Sequence, residues 1–471
     1  MSAPLMPADR WGERLTRRLG LWSAVAVLVG STIGSGIFRT PAGVARLVDD
    51  VPLFLLAWVV GAAVVLCGAL TYSELAAAFP RSGGVYVFVR ESFGPLPAFL
   101  FTWAELLVIR PGAYGAIGIT ASAYTLRTLG HDPAAVLAHA GPLTISVEQV
   151  LGAVYIVLVG IVNYFGIHRG AVLQNLSTLL KTGALAVLIV AGLLLGGATA
   201  ATVPDMMAQR AHVGLSPFLL AMVAILWAYD GWADLAFVGG EVREPQQTLP
   251  RALLIGTASV VVLYLGANLV YLHLIPMQGM KQAELVAADV ARLLVGPAGV
   301  VAISAVIAVS TFGTLNGSMM TAPRIFFAAA EDRVLPQAIA RIDPRTSSPT
   351  AAVLLMIGMG VIFILVRTFN DLAEQFIIGI WPFYALAVAG VFVLRRTRPQ
   401  LERPYLTWGY PFVPLVFLVA ALFVLGNYLV SETLKFAVDI GIIATGVPVY
   451  LAIRRYQRRA PPPAISVRQN R

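Results

Sequence analysis

Seven consecutive residues, Gly30-Ser31-Thr32-Ile33-Gly34-Ser35-Gly36, put three glycines and three hydroxyls in the middle of an otherwise apolar stretch. Their chemistry is recognition rather than bond-making. Glycine lets a helix unwind, and an unwound turn exposes amide N–H and C=O groups that can hold a charged ligand. Inside a bilayer such a turn is tolerated only where it is buried in protein or lines a cavity. The competing reading is a small-residue face that lets two helices pack closely. A second interruption, Leu226-Trp227-Ala228-Tyr229-Asp230-Gly231-Trp232, favours the first. An Asp at that depth costs ~2.5–3.5 kcal/mol to insert and should face a polar interior. Further charges stand within apolar stretches, among them Glu105, Arg110 and Lys181. Glu105 and Arg110 are five residues apart, so a regular helix points them in different directions. Each is expected to find a partner on a neighbouring helix rather than to touch a ligand. Lys181 is separated from the polar His168-Arg169 by apolar-rich residues and is not expected to snorkel to the interface.

The elements that must position these residues are membrane spans. Of 471 residues, 58% are hydrophobic and 12% charged, the composition of a polytopic membrane protein. Twelve apolar stretches can be drawn, at roughly 20–46, 52–79, 95–128, 148–165, 171–196, 215–240, 251–275, 298–328, 351–367, 373–394, 411–430 and 436–453. The first 18 residues are polar and basic and lead straight into the first span, so no cleavable signal peptide is expected. Most of the 33 Lys and Arg fall on the N-terminal side, as in Arg395/Arg396/Arg398 and Arg454/Arg455/Arg458/Arg459. That bias, with an even number of spans, places both termini in the cytoplasm. The net charge of +9 then needs no nucleic-acid partner, and the last cluster suits the anionic headgroups of membrane lipids. The tail from Ala460 is expected to be disordered. The single cysteine, Cys67, cannot form an intramolecular disulfide. Neither paired Cys/His spacing nor a phosphate-binding glycine loop occurs, so no metal, no cofactor and no enzymatic or ATP-driven chemistry is expected.

The interrupted spans are the first and the sixth. A five-span unit repeated in tandem inserts with opposite topology the second time, and broken helices at matching positions of inverted repeats mark a transporter site at the midplane. Half-helix N-termini offer free N–H groups and a positive dipole end to an anion, while exposed carbonyls suit an ammonium. A site offering both fits a zwitterion, such as an α-amino acid.

Gly30-Ser-Thr-Ile-Gly-Ser-Gly-Ile-Phe38 resembles the helix-1 signature of the amino acid–polyamine–organocation superfamily. Further stretches are similar to its L-type amino acid transporter group: Leu96-Pro-Ala-Phe-Leu100 with Trp103, Glu105-Leu-Leu-Val-Ile-Arg-Pro111, Ala228-Tyr-Asp-Gly-Trp232, Ser310-Thr-Phe-Gly-Thr-Leu-Asn316-Gly-Ser and Arg398-Pro-Gln-Leu-Glu-Arg-Pro404. The resemblance implies an all-α integral membrane protein of 12 transmembrane helices. The implied fold is LeuT-type, a 5+5 inverted repeat plus two C-terminal helices, with helices 1 and 6 broken at mid-membrane. On that pattern the chain divides into a cytoplasmic segment 1–18, repeats over 19–197 and 213–394, the last two helices over 410–453 and a basic tail 454–471. The implied function is secondary active transport of amino acids across the cell (inner) membrane by alternating access.

Carried over residue by residue, the resemblance assigns the substrate carboxylate to Ser35 and Gly36, with Gly34 beside them. It assigns the amine to carbonyls of Thr32, Trp227 and Asp230. Trp227 would gate the site from outside, and Trp381 would lie near the substrate side chain. Lys181 would stand where sodium-coupled relatives bind sodium, held by carbonyls near Gly30 and Ser31 and by hydroxyls such as Ser310 or Thr311. It would be either a titrating proton site or a permanent brace, so transport would be sodium-independent, by exchange or proton-linked symport. Eukaryotic members bond a heavy chain through a cysteine between spans 3 and 4. Thr128 to Ser146 contains none, so no disulfide-linked heavy chain is expected. Asp230 stands where several relatives have glycine, which leaves two readings: a site for cationic substrates, or a pair with a protein group. The competing functions are a polyamine or cationic amino acid permease, a non-transporting amino acid receptor, which usually needs an appended signalling domain, and a channel, which needs a selectivity filter or charged rings that are not seen here.

Overall fold

The computed structural model describes residues 15–459 except 35, 141–142, 196–211, 284, 347 and 367–368. Ser35, residues 1–14 and the tail from Ala460 therefore lie outside the described residues. An apolar run in hydrocarbon becomes a helix because that geometry bonds the backbone amides within the segment. Among the described residues ten helices are long and apolar enough to cross a membrane. Two shorter apolar ones, Leu215–Tyr229 and Thr350–Val366, fall on the remaining stretches read from the sequence.

In chain order the helices are α1 (Leu21–Thr32), α2 (Gly36–Leu47), α3 (Val51–Ala78), α4 (Val85–Phe93), α5 (Pro95–Ala104), α6 (Arg110–Thr128), α7 (Val147–Tyr164) and α8 (Ile167–Leu195). They continue as α9 (Leu215–Tyr229), α10 (Asp234–Phe237), α11 (Pro245–Leu274), α12 (Met277–Gln282), α13 (Val286–Val295), α14 (Pro297–Thr321) and α15 (Pro323–Glu331). The last are α16 (Thr350–Val366), α17 (Phe369–Thr397), α18 (Phe412–Ser431), α19 (Thr433–Ala444) and α20 (Gly446–Arg459). Both expected interruptions are present: the first span is two 12-residue helices, α1 and α2, and the sixth stops at Tyr229 and resumes at Asp234. α2 packs on α9 while α1 meets α10, so the broken spans lie side by side and antiparallel. α1 is enclosed by α8, α11 and α14. The connection before α7 is more than a loop. It carries an antiparallel hairpin, β1 (Val136–Ala140) with β2 (Leu143–Ser146), and Ser146 and Gln149 then form the capping box that starts α7.

On the N-terminal side the backbone beyond α10 is clamped from three directions. Glu241 O accepts from the N–H groups of Arg18 and Leu19 at 2.8 and 2.9 Å, and Gly83 N–H donates to Phe237 O at 2.9 Å. The fully buried Arg324 of α15 donates to the Glu241 carboxylate at 2.8 and 3.4 Å. Nearby, Asp332 accepts from Arg90 Nε at 2.8 Å and from the Tyr86 hydroxyl at 2.7 Å. Burial pushes the Asp332 carboxyl up to about 6, against the opposing pull of Arg90 and Tyr86. In an unfolded chain it titrates near ~4, so the folded protein holds this proton more tightly. Its contribution to stability is full below about pH 4 and is lost as pH rises through about 6. Thermal unfolding in detergent should therefore show a midpoint whose fall with rising pH across that window is shallower in Asp332→Asn than in wild type. Identical slopes would contradict this origin.

Candidate functional site

The first break is built on carbonyls. A helix ends with four C=O groups that lack intrahelical partners, and α1 ends at Thr32, with Ile33 leaving helical geometry at ψ 92°. Lys181 of α8, 1% exposed, turns its ammonium into this end. Nζ donates to Gly30 O at 2.5 Å, Ile33 O at 2.7 Å and Ser310 O at 3.2 Å, with Thr314 Oγ1 at 3.0 Å. Three carbonyls around one nitrogen suit an ammonium, which has three N–H donors. A cation at a helix C-terminus also opposes the helix dipole. Of the two hydroxyls named from the sequence, neither is the partner. Ser310 contributes its carbonyl, and Thr311 bonds back to Ile307 O of its own helix. Thr314, one turn further along α14, supplies the hydroxyl. Thr32 O accepts from the Tyr264 hydroxyl of α11 at 2.9 Å.

The second break is a tight passage. Asp230 is extended at ψ 157°, and Gly231 follows at φ +107°, a left-handed conformation that favours glycine. A Cβ on Gly231 would lie 2.7 Å from Ser31 C and Thr32 N, so the two breaks touch backbone to backbone. Gly36 repeats this across the pair: a Cβ there would lie 2.5 Å from Ala228 Cα. Asp230 Oδ1 accepts from the Tyr384 hydroxyl of α17 at 3.1 Å, so its carboxylate has a partner within the protein.

Glu105 and Arg110 correct the expectation drawn from a regular helix. Glu105–Ile109 is a turn of π-helix, in which the Arg110 N–H bonds to Glu105 O. The wider turn brings residues five apart onto one face. Arg110 Nε therefore donates to Glu105 Oε2 at 2.8 Å, while its other nitrogens reach Asp234 Oδ1 at 3.1 Å and Ser318 Oγ at 2.9 Å. One guanidinium thus ties α6 to α10 and α14. The Thr321 hydroxyl donates to the second Asp234 oxygen at 3.2 Å.

Two cavities meet at this site. A central one of about 40 Å³ is lined by Ser31, Thr32, Gly34, Gly36, Trp227 and Asp230, among others, together with Arg110, Asp234 and Phe376. A vestibule of about 720 Å³ lies on the side opposite the N-terminal segment, between α2, the end of α6, the start of α7 and α9. Trp227 lines both, and its ring meets Phe376 of α17 edge-on at 5.2 Å. Trp381 lines neither. It is buried, stacked on Phe417 at 5.3 Å, and Phe376 occupies the place facing the cavity. Asp234, Thr314 and Phe376 are the site residues that sequence reasoning missed. Asp234 alone left a signal, a second carboxylate four residues after Asp230. Among the described residues no group of three or more His, Cys, Asp or Glu could hold a metal.

Residues 19–453 match the amino acid permease family. The chain is 31% identical to the serine/threonine exchanger SteT of Bacillus subtilis (strain 168) over 444 residues, which cover 94% of this chain and 98% of the exchanger. It is 30% identical to the human b(0,+)-type amino acid transporter 1 over 447 residues, covering 94% and 89% of the two chains. With the human cystine/glutamate transporter the identity is 31% over 447 residues, covering 94% and 86%.

Removing one member of a buried ion network leaves the others uncompensated, at a cost of about 3–5 kcal/mol. Arg110→Met should therefore lower the thermal midpoint strongly, and adding Glu105→Gln in the same chain should recover part of the loss. An unchanged midpoint in Arg110→Met would rule out the network as a brace.

Proposed function

This chain belongs to the amino acid permease family and is a multi-pass membrane transporter of amino acids, not an enzyme; from that premise we propose that it works by alternating access at the paired helix breaks. The single observation that carries the reading is that Trp227 lines both cavities. One aromatic pair, Trp227 with Phe376, separates a site between two broken helices from a vestibule wide enough to admit an amino acid. The opposite side is closed by the clamp on Glu241. Closing one path while the other stays open is what alternating access requires.

In this reading Gly36 at the start of α2, with Gly34 and Ser35 before it, takes the substrate carboxylate. Carbonyls of Thr32, Trp227 and Asp230 take its ammonium, and Trp227 is the outer gate. The Tyr264 bond to Thr32 O would have to yield or share that oxygen. The Tyr384 bond to Asp230 favours neutral substrates over cationic ones, because the carboxylate already has a partner. Two inverted repeats, over 19–197 and 213–394, carry the two breaks, with both termini cytoplasmic and no disulfide-linked heavy chain. The Lys181 ammonium fills the oxygen cage between helix 1 and α14, which supports transport without sodium. Four oxygens around one ammonium favour the brace over the proton site.

Exchange of a labelled amino acid in proteoliposomes, competed by neutral, cationic and anionic amino acids, tests the substrate class. Failure of every amino acid to compete would overturn it. Replacing sodium by choline should leave the rate unchanged, and Lys181→Ala should reduce it to near background. A collapse of wild-type exchange in choline would refute the cage argument. Trp227→Ala should slow maximal exchange by roughly an order of magnitude while leaving the fold intact, as expected for a lost gate. Normal turnover in that variant would return Trp227 to packing.

A further inference from the structure

Between the Lys181 cage and the N-terminal side, a row of buried amides crosses the bundle. Asn163, near the end of α7, donates through Nδ2 to Asn316 Oδ1 of α14 at 2.9 Å. Asn316 donates through Nδ2 to Gln174 Oε1 of α8 at 3.0 Å. All three side chains are at most 1% exposed. Their orientations are set by backbone oxygens, which can only accept. Asn163 Nδ2 also donates to Val159 O at 3.0 Å, and Asn316 Nδ2 to Gly170 O at 3.0 Å. Asn316 must then present its N–H to Gln174, and Gln174 must answer with its oxygen. That leaves Gln174 Nε2 facing the helix-1 break, and there the row stops one link short. Gln174 Nε2 has no hydrogen-bond partner, and neither does Ser31 Oγ. A Cβ on Gly317 would lie 2.5 Å from Ser31 Oγ and 2.8 Å from Gln174 Nε2. Donor and hydroxyl, at 2.5 and 2.8 Å from that one point, are therefore no more than about 5.3 Å apart, and a small displacement of α1 would bring them within hydrogen-bond range.

We propose that Gln174 and Ser31 form a hydrogen bond in the state open to the N-terminal side, when α1 shifts, and that this bond holds that state against the vestibule-open one. Gln174 is a positioning residue for transport. It acts on substrate only through the helix-1 break, and the Asn163–Asn316 pair keeps its donor aimed. The inference rests on the alternating-access reading. A buried donor and hydroxyl unbonded in one state and joined in the other shift the balance between states by the worth of one hydrogen bond.

The test uses the full chain in proteoliposomes, with Cys67→Ser and a reporter at Ala236→Cys, a position buried on α10 next to the N-side clamp. Labelling by a maleimide added from that side follows the population of the N-side-open state. Ser31→Ala should slow labelling ~5–10-fold with an unchanged thermal midpoint, because the bond is not made in the vestibule-open state. Gln174→Leu should slow it similarly, and the double variant should be no slower than the slower single one, since both remove the same bond. Labelling of Ser31→Ala at the wild-type rate overturns the proposal, and so does a double variant slowed by the product of the two single effects. If Gln174→Leu does not fold, Ser31→Ala decides alone. Amino acid exchange by the reporter protein is measured in the same vesicles. Its absence would fail the parent reading, whereas normal exchange with unshifted labelling fails only the latch.

Discussion

A helix that ends in the middle of a membrane leaves carbonyl oxygens where no water can bond them, and the rest of this site follows from how they are satisfied. The Lys181 ammonium takes Gly30 O and Ile33 O together with Ser310 O. A long aliphatic stem carries the charge from α8 to the end of α1, and one cation serves three elements. The Tyr264 hydroxyl takes Thr32 O from the opposite flank. In this structure its carbonyls are held from two sides, so the end of α1 sits where the second broken span can approach it. Gly231 and Gly36 then matter for a steric reason, because a single methyl at either would meet backbone at 2.5–2.7 Å.

The second broken span is anchored by charge. Arg110 reaches Asp234 at the start of α10 only because a π-turn rotates α6 relative to α5, which also swings Glu105 under the same guanidinium. Each half of the site is thus fixed to a different neighbour: helix 1 to α8 and α14 through an ammonium, helix 6 to α6 and α14 through a guanidinium. α14 is common to both. Thr314, Ser318 and Thr321 fall along one of its faces at helical spacing, each bonded to one of these networks.

The two sides of the paired breaks are held by different physics. On the N-terminal side, backbone pairing and a buried Arg324–Glu241 bond join four segments that are distant in sequence. Opening there must break several hydrogen bonds together. On the vestibule side, Trp227 and Phe376 meet edge-on where the two cavities border each other, and such a contact is worth only about 0.5–1.5 kcal/mol beyond its burial.

The bilayer narrows what a sequence can mean, and for that reason much here was legible in advance. Twelve apolar stretches, one break rich in glycine and another with an Asp-Gly pair between aromatics, and a few charges too costly to be accidental follow from composition and depth alone. So does the prominence of Lys181, Asp230, Glu105 and Arg110. What the tertiary structure decided is which of these meet. Glu105 pairs with Arg110 through a π-turn, a change of helical register with no residue-type signature. Thr314 rather than Thr311 completes the lysine cage, and Phe376 rather than Trp381 faces the cavity, because each choice depends on the rotation of one helix against its neighbours. That rotation is set by summed side-chain packing over the whole bundle, in which no single position carries enough of the energy to be read from its letter.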